Sequence, residues 1–189
     1  MTYDEDGNKI KEEKDSDSDG TIDTVSTWTY DADGNLVKNE WDNDGDGIID
    51  YASSYAYDED GNKIKAEADT DGDGTIDAVS TYTYDADGNL IRSEGDGFFL
   101  NDPTTATYAY DADGNLIKEE IDYYNDGIID ETSIYAYDED GNKIKIEEDY
   151  DGDGIIDYAS IYAYDEGGNK IREEHRDDNS AGAIAYTYD

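Results

Sequence analysis

The chain has no cysteine, one proline and one histidine in 189 residues, and 13 lysines and arginines against 53 aspartates and glutamates. Each shortage excludes something. Without cysteine no disulfide staples the fold and no thiol does chemistry. With one histidine, His175, no nucleophile–base–orienter set can be named, so an enzyme is not expected. His175 falls in an irregular stretch and reads as a solvated surface residue. The formal net charge of −40 argues against nucleic acid, whose phosphates are held by Lys and Arg. It argues equally against anionic lipid, which recruits basic segments. No apolar run approaches the roughly 18–20 residues that span a bilayer, so membrane insertion is not expected. The start, Met1-Thr2-Tyr3-Asp4, is not a signal peptide. Small cations are the natural partners of so many carboxylates.

High charge with modest hydrophobicity is the usual recipe for disorder. Two features oppose that reading here. Aromatic residues make up 12% of the chain, with 19 tyrosines, and the pattern is strictly periodic. Tyr-Asp recurs at Tyr3, Tyr30, Tyr57, Tyr84, Tyr110, Tyr137, Tyr164 and Tyr188, at spacings of 27, 27, 27, 26, 27, 27 and 24. Seven units (3–29, 30–56, 57–83, 84–109, 110–136, 137–163 and 164–187) fill the chain with no linker. Both ends fall at the repeat phase, so the sequence reads as a piece of a longer array, with any targeting signal outside it.

Each unit alternates two polar turns with two short strands. The run before Tyr-Asp, such as Ser80-Thr81-Tyr82-Thr83-Tyr84, is β-branched and aromatic. The run after the first turn, such as Lys143-Ile144-Lys145-Ile146, alternates with period two. The turn Asp31-Ala32-Asp33-Gly34-Asn35 reads as a type I turn with a G1 bulge, which makes consecutive strands antiparallel. The expected fold is all-β, a long antiparallel meander of about 14 strands that curls or spirals, since sheets beyond ~10 strands do so. The alternative is a parallel β-solenoid with one coil per repeat. Ile10, Val37, Ile64, Ile91, Ile117, Ile144 and Ile171 hold one aliphatic position in every unit and are expected to line a buried face. In the G1-bulge register Tyr30 pairs with Leu36. The tyrosines then share a face with Leu36, Leu90 and Leu116 in some units, and with Lys9, Lys63, Lys143 and Lys170 in others. A one-residue slip puts tyrosine beside isoleucine instead.

The second turn carries the strongest motif. Asp42-Asn43-Asp44-Gly45-Asp46-Gly47-Ile48-Ile49-Asp50 has the form Asp-x-Asp-x-Asp-Gly-x-Ile-Asp. Calcium takes 6–8 oxygens at roughly 2.3–2.6 Å. Carboxylates at positions 1, 3 and 5 can converge on one ion, Gly at position 6 permits the bend, position 7 offers a carbonyl, and Asp at position 9 adds an oxygen directly or through water. Ile at position 8 is expected to turn into the core and start the next strand. Four loops have the full set: Asp15, Asp17, Asp19, Thr21 and Asp23; Asp42, Asp44, Asp46, Ile48 and Asp50; Asp69, Asp71, Asp73, Thr75 and Asp77; and Asp149, Asp151, Asp153, Ile155 and Asp157. A fifth keeps Asp122, Asp126, Ile128 and Asp130 but has Tyr124 at position 3, and is expected to bind more weakly. In the fourth unit Asp96 is followed by Phe98, Leu100 and Asn101, and in the seventh Arg176 takes position 1, so both sites are lost. The Asp31/Asp33 pair of the first turn is a weaker candidate for a cation than for a plain turn.

The second turn is similar to an EF-hand loop through position 9, but position 12 is Ser26, Ser53, Ser80 or Ser160 where a bidentate Glu should stand, and no helices flank it. It resembles more closely the thrombospondin type 3 repeats. The missing position-12 carboxylate implies weak sites, for which millimolar extracellular calcium is enough. The first turn, Tyr84 to Ile91 or Tyr110 to Ile117, resembles the YD repeat of RHS and related bacterial surface and toxin-shell proteins. That resemblance implies antiparallel strands that spiral into shells. The calcium insert departs from that family, so an encapsulating role does not carry over.

Four ions would bring −40 only to −32. Locally they matter more. Loops on alternate strands ~4.8 Å apart would lie ~9.6 Å from one another, near the Debye length at physiological salt, and would repel. The array is therefore expected to loosen or unfold without calcium. The expected role is a structural protein of the cell surface or matrix: a stalk, an adhesin spacer, or a subunit that self-associates into filaments or stacked sheets. The alternative is a calcium-dependent module for glycan, ice or a protein partner.

Overall fold

A computed structural model describes residues 1–96, 104–177 and 184–187. The stretch holding Phe98, Phe99, Leu100, Asn101 and Pro103 lies outside the described residues. The protein is all-β. Fifteen strands follow one another in chain order in an open meander sheet, and every described pairing is antiparallel. That excludes the parallel solenoid.

Two compact units divide the chain, one of Met1–Thr83 with Glu94–Asn101, the other of Tyr84–Ser93 with Asp102–Asp189. The first holds β1 (Thr2–Tyr3), β2 (Lys9–Lys14), β3 (Thr24–Tyr30), β4 (Leu36–Asp42), β5 (Tyr51–Tyr57), β6 (Lys63–Asp69) and most of β7 (Ala78–Tyr84). The second holds β9 (Thr104–Tyr110), β10 (Leu116–Asp122), β11 (Glu131–Tyr137), β12 (Lys143–Asp149), β13 (Tyr158–Tyr164), β14 (Lys170–Asp177) and β15 (Ile184–Thr187), with β8 (Leu90–Gly95) divided between the two.

The first turn closes as its residues dictate. The Asp31 amide donates to the Asn35 carbonyl at 3.0 Å and the Gly34 amide to the Asp31 carbonyl at 3.2 Å. Gly34, at φ 86°, takes the left-handed conformation that a side chain resists. Tyr30 then pairs with Leu36, as the G1 register requires, but the next pair is Thr29 with Lys38, leaving Val37 over. Ile10, Ile64, Ile117, Ile144 and Ile171 are skipped in the same way. The unvarying aliphatic position is therefore a second bulge, not a buried core row. Ile64 and Ile171 are exposed and the others half-buried. A bulged residue leaves the ladder.

The skip resolves which residues share a face. The Lys9, Lys63, Lys143 and Lys170 ammonium groups stand 4.2–4.9 Å over the rings of Trp28, Tyr55, Tyr135 and Tyr162. The tyrosine rows thus share their face with these lysines, in the unslipped register. The most closed positions on that face are small or polar: Ser53, Ala106 and Ser160 at one repeat position, with Asn39, Ala68 and Ala78 beside them. Among the described residues the buried apolar side chains are three alanines. Hydrophobic burial of large side chains, worth about 1.5–3 kcal/mol each, therefore contributes little, and the backbone ladder carries the sheet.

The opposite face bears a charge stripe. Lys11–Glu13, Lys38–Glu40, Lys65–Glu67, Lys118–Glu120 and Lys145–Glu147 pair at 2.6–2.7 Å, and Arg172 pairs with Glu174. Residues two apart on a strand point the same way. Lys or Arg followed two positions later by Glu in every unit was the available sequence signal.

Candidate metal centres in the second turns

Each second turn joins the end of one strand to the start of the next. At its base the position-9 amide donates to the carbonyl of the residue before position 1: Asp23 to Lys14, Asp50 to Trp41, Asp77 to Ala68, Asp130 to Ile121 and Asp157 to Glu148, at 2.8–2.9 Å. The following strand begins at position 10 or later. Position 8 does not start it and does not enter a core: Ile22 and Ile76 are exposed and Ile49, Ile129 and Ile156 half-buried.

Position 1 is the pivot. Asp42, Asp69, Asp122 and Asp149 are buried, and Asp15 half-buried. A buried carboxylate is costly unless it accepts hydrogen bonds. Here Oδ2 accepts from the position-6 glycine amide in all five loops, at 2.8–3.0 Å. The position-9 carboxylates of Asp23, Asp50, Asp77, Asp130 and Asp157 accept from the position-2 amide at 2.5–2.7 Å. The position-7 residues, Thr21, Ile48, Thr75, Ile128 and Ile155, are exposed at the loop tips and donate their amides to the position-5 carboxylates. The Thr21 hydroxyl and amide hold Asp19 below the usual carboxylate range, and the Thr70 amide and hydroxyl do the same for Asp77.

Four groups of carboxylates converge, with one oxygen of each residue within 4.8 Å of the others: Asp15, Asp17 and Asp19; Asp42, Asp44 and Asp50; Asp69, Asp71 and Asp77; and Asp149, Asp151 and Asp157. Asp23, Asp46, Asp73 and Asp153 stand outside these groups. Asp122, Asp126 and Asp130 form none, because Tyr124 puts an exposed ring where the position-3 carboxylate belongs. Two oxygens on opposite sides of a cation that holds them at roughly 2.3–2.6 Å lie about 5 Å apart, so the separations suit a hard divalent ion. The ion pairs of Lys9, Lys11, Lys14, Lys38, Lys65, Lys118, Lys145, Lys170 and Arg172 run to glutamates.

The first turn behaves otherwise. Asp31 Oδ1 accepts from the amides of Asp33 and Asn35, and Oδ2 from Asn35 Nδ2 at 3.1 Å. The Asn35 bonds hold Asp31 below the usual carboxylate range. The carboxylate is satisfied by its own turn, and the Asp31/Asp33 pair belongs to no converging group among the described residues.

His175 is not a solvated surface residue. Its Nδ1 lies 2.6 Å from Ser160 Oγ and 2.8 Å from the Tyr158 hydroxyl, and its Nε2 lies 2.9 Å from Glu173 Oε1. Cross-strand pairing of Ser160 with His175 brings them together, which spacing along the chain does not reveal. The order of groups is that of a nucleophile, base and carboxylate, but Ser160 has no exposed surface. A nucleophile must meet its substrate, so the cluster reads as a polar plug between β13 and β14.

No protein-family model matches the chain and no curated protein matches it. Solved structures do. "Crystal Structure of TcdB2-TccC3-TEV" is similar over 99% of this chain and 12% of that one, with a TM-score of 0.64 at 16% identity. "Crystal Structure of TcdB2-TccC3" is similar over 89% of this chain and 10% of that one, with a TM-score of 0.56 at 19% identity. "Structure of Photorhabdus luminescens Tc holotoxin pore, Mutation TccC3-D651A" is similar over 86% and 9%, with a TM-score of 0.54 at 19% identity. The chain spans about a tenth of the length of these proteins. At such identity the likeness is one of fold alone.

Proposed function

We propose that this chain is a calcium-binding structural repeat protein of the cell surface or extracellular matrix, a stalk, adhesin spacer or filament subunit that calcium folds and stiffens. The recurrence of a converging carboxylate group in the second turn of four units, built from the same three positions in three of them, carries this reading. A chance polar turn has no reason to repeat its ligand geometry. Calcium fits better than magnesium because the loops offer many oxygens on a flexible backbone, whereas magnesium keeps its waters. A non-enzymatic role agrees with the closed Ser160, and the net charge of −40 disfavours nucleic acid and anionic membrane as partners. Isothermal calorimetry tests the proposal. Calcium is expected to bind at four sites per chain, with a fifth and weaker one at Asp122–Asp130, in the presence of millimolar magnesium. Absence of calcium heat, or equal displacement by magnesium, overturns it.

A second reading has its own observation. A cavity of about 240 Å³ lies on the tyrosine face of β5–β7, with Tyr51, Tyr55 and Tyr82 as walls and Ala66 and Ala68 as floor. Trp41 stacks on Tyr51 with ring centroids 4.9 Å apart. Aromatic walls around a small floor suit a sugar ring. Saturable quenching of tryptophan fluorescence by oligosaccharides would favour a binding module over a spacer.

A further inference from the structure

The residue at position 4 of the second turn has the left-handed conformation in all five loops: Ser18 at φ 63°, Gly45 at 72°, Gly72 at 72°, Asn125 at 52° and Gly152 at 67°. Backbone conformation therefore does not decide between glycine and a side chain here, since serine and asparagine take the same angle. The neighbouring loop does. A Cβ on Gly45 would overlap the carbonyl oxygen of Ile22, position 8 of the loop before, and stand 2.9 Å from its carbon. On Gly72 it would overlap the Ile49 oxygen and stand 2.9 Å from the Asp50 Cα, and on Gly152 it would overlap the Ile129 oxygen and stand 3.1 Å from the Asp130 Cα. The position-6 glycines, from Gly20 to Gly154, have nothing within 4 Å. Consecutive loops are thus in backbone contact, closer than the ~9.6 Å that strand spacing implies. A carbonyl aimed at a glycine Cα is a recurring Cα–H···O arrangement.

A non-glycine residue, Asn125, stands where the unit before lacks the motif. Asn125 Oδ1 instead accepts from the Thr105 hydroxyl at 2.6 Å. The difference reaches the carboxylates. Where the contact exists, the position-4 glycine amide donates to Oδ1 of position 1 at 2.6–2.8 Å. In the loops of Ser18 and Asn125 the donor is the position-5 amide, at 3.1–3.2 Å. The loops with the contact converge positions 1, 3 and 9, whereas the loop of Ser18 converges 1, 3 and 5.

We propose that position 4 couples each loop to the one before it, so that calcium fills the loops of units one to three as one cooperative run and those of units five and six as another. The proposal rests on the calcium reading. A closed loop presents its position-8 carbonyl, beside its own position-9 ligand. The next glycine settles on it and carries the contact, through its amide, to the next position-1 carboxylate. Coupling of binding sites is reciprocal, so each loop in a run tightens its neighbours.

Hydrogen exchange of the full chain over a calcium titration tests this. The reporters are the loop amides that donate to position 1, Gly45 and Gly47, Gly72 and Gly74, and Gly152 and Gly154. Asp44→Asn, in the second loop, keeps an acceptor for the Asp46 amide while removing a charged ligand. It is expected to raise the calcium needed to protect Gly72 and Gly74 by about 5–150-fold, and to leave Gly152 and Gly154 unchanged. Gly72→Ala, which breaks the contact itself, is expected to weaken protection of Gly45 and Gly47 in the loop before it more than Gly74→Ala, which strains the third loop without touching the second. If Asp44→Asn leaves Gly72 and Gly74 protected at the wild-type calcium concentration, the coupling is overturned while calcium binding stands. If calcium protects no loop of the wild-type chain, the calcium reading fails, and filling in runs fails with it.

Discussion

Each repeat has two acidic, glycine-containing turns, and they solve the same electrostatic problem in opposite ways. The first turn satisfies its aspartate from within: Asn62 Nδ2 and the Asp60 and Asn62 amides cover both oxygens of Asp58. All seven first turns close with the same backbone bonds. The second turn gathers three carboxylates within 4.8 Å, and its backbone amides satisfy hydrogen bonds without cancelling the charge. Composition does not separate the two turns. Amide donors against carboxylate neighbours do.

Chelation should separate them most sharply. In excess EDTA the far-UV circular dichroism of the chain is expected to lose most of its β signal and to regain it when calcium is restored, because the second turns cannot close on like charge alone. Full β signal in EDTA would make the second turn as self-sufficient as the first. Acid separates them next. Asp58, Asp85, Asp111 and Asp138 are held below the usual carboxylate range by the side chains and amides of Asn62, Asn89, Asn115 and Asn142. A folded value below the unfolded one of about 3.9 gives stability that is complete above that pH and drains as pH falls through the folded values. Protons also displace calcium. More calcium should therefore move the second-turn transition to lower pH and leave the first-turn transition in place, as two acid titrations at different calcium concentrations would read.

Single substitutions give smaller effects. Gly61→Ala, at φ 84° with open space around it, is expected to cost about 1–2 kcal/mol, equally with and without calcium. A calcium-dependent cost, measured by denaturant melts, would tie the two turns together. Tyr124→Asp restores the missing position-3 carboxylate and should strengthen the fifth site by about tenfold, or roughly 1.4 kcal/mol, in calorimetry. Lys65→Ala removes a half-exposed ion pair on the face away from the tyrosines and should cost no more than about 0.2–1 kcal/mol. A larger loss would mean that the charge stripe supports the turns.

Much of the site was legible in residues alone, because the ligands of one loop lie within nine consecutive positions. Asp42, Asp44 and Asp50 converge as their spacing requires. Position 5 fell outside three of the four groups, those whose position-4 glycine meets the loop before, a choice that spacing does not express. The hairpin turn was legible too, since Asp31 and Gly34 admit few turns, but the choice between its register and a one-residue slip was not. The second bulge was not. An aliphatic residue recurring in every unit looks like a core row, and only the pairing of Thr29 with Lys38 reveals Val37 as unpaired.

The sequence by itself determined the repeat, its antiparallel hairpins and the four complete aspartate loops, because each is local and propensity, turn chemistry and charge act over a few residues. The tertiary structure alone decided which face the tyrosines occupy, how small the buried core is, and that Gly45, Gly72 and Gly152 each rest on the loop before. Those depend on strand register and on residues more than 20 positions apart. A one-residue skip in pairing reverses a strand's faces, and nothing within a single repeat records where its neighbour's carbonyl will stand.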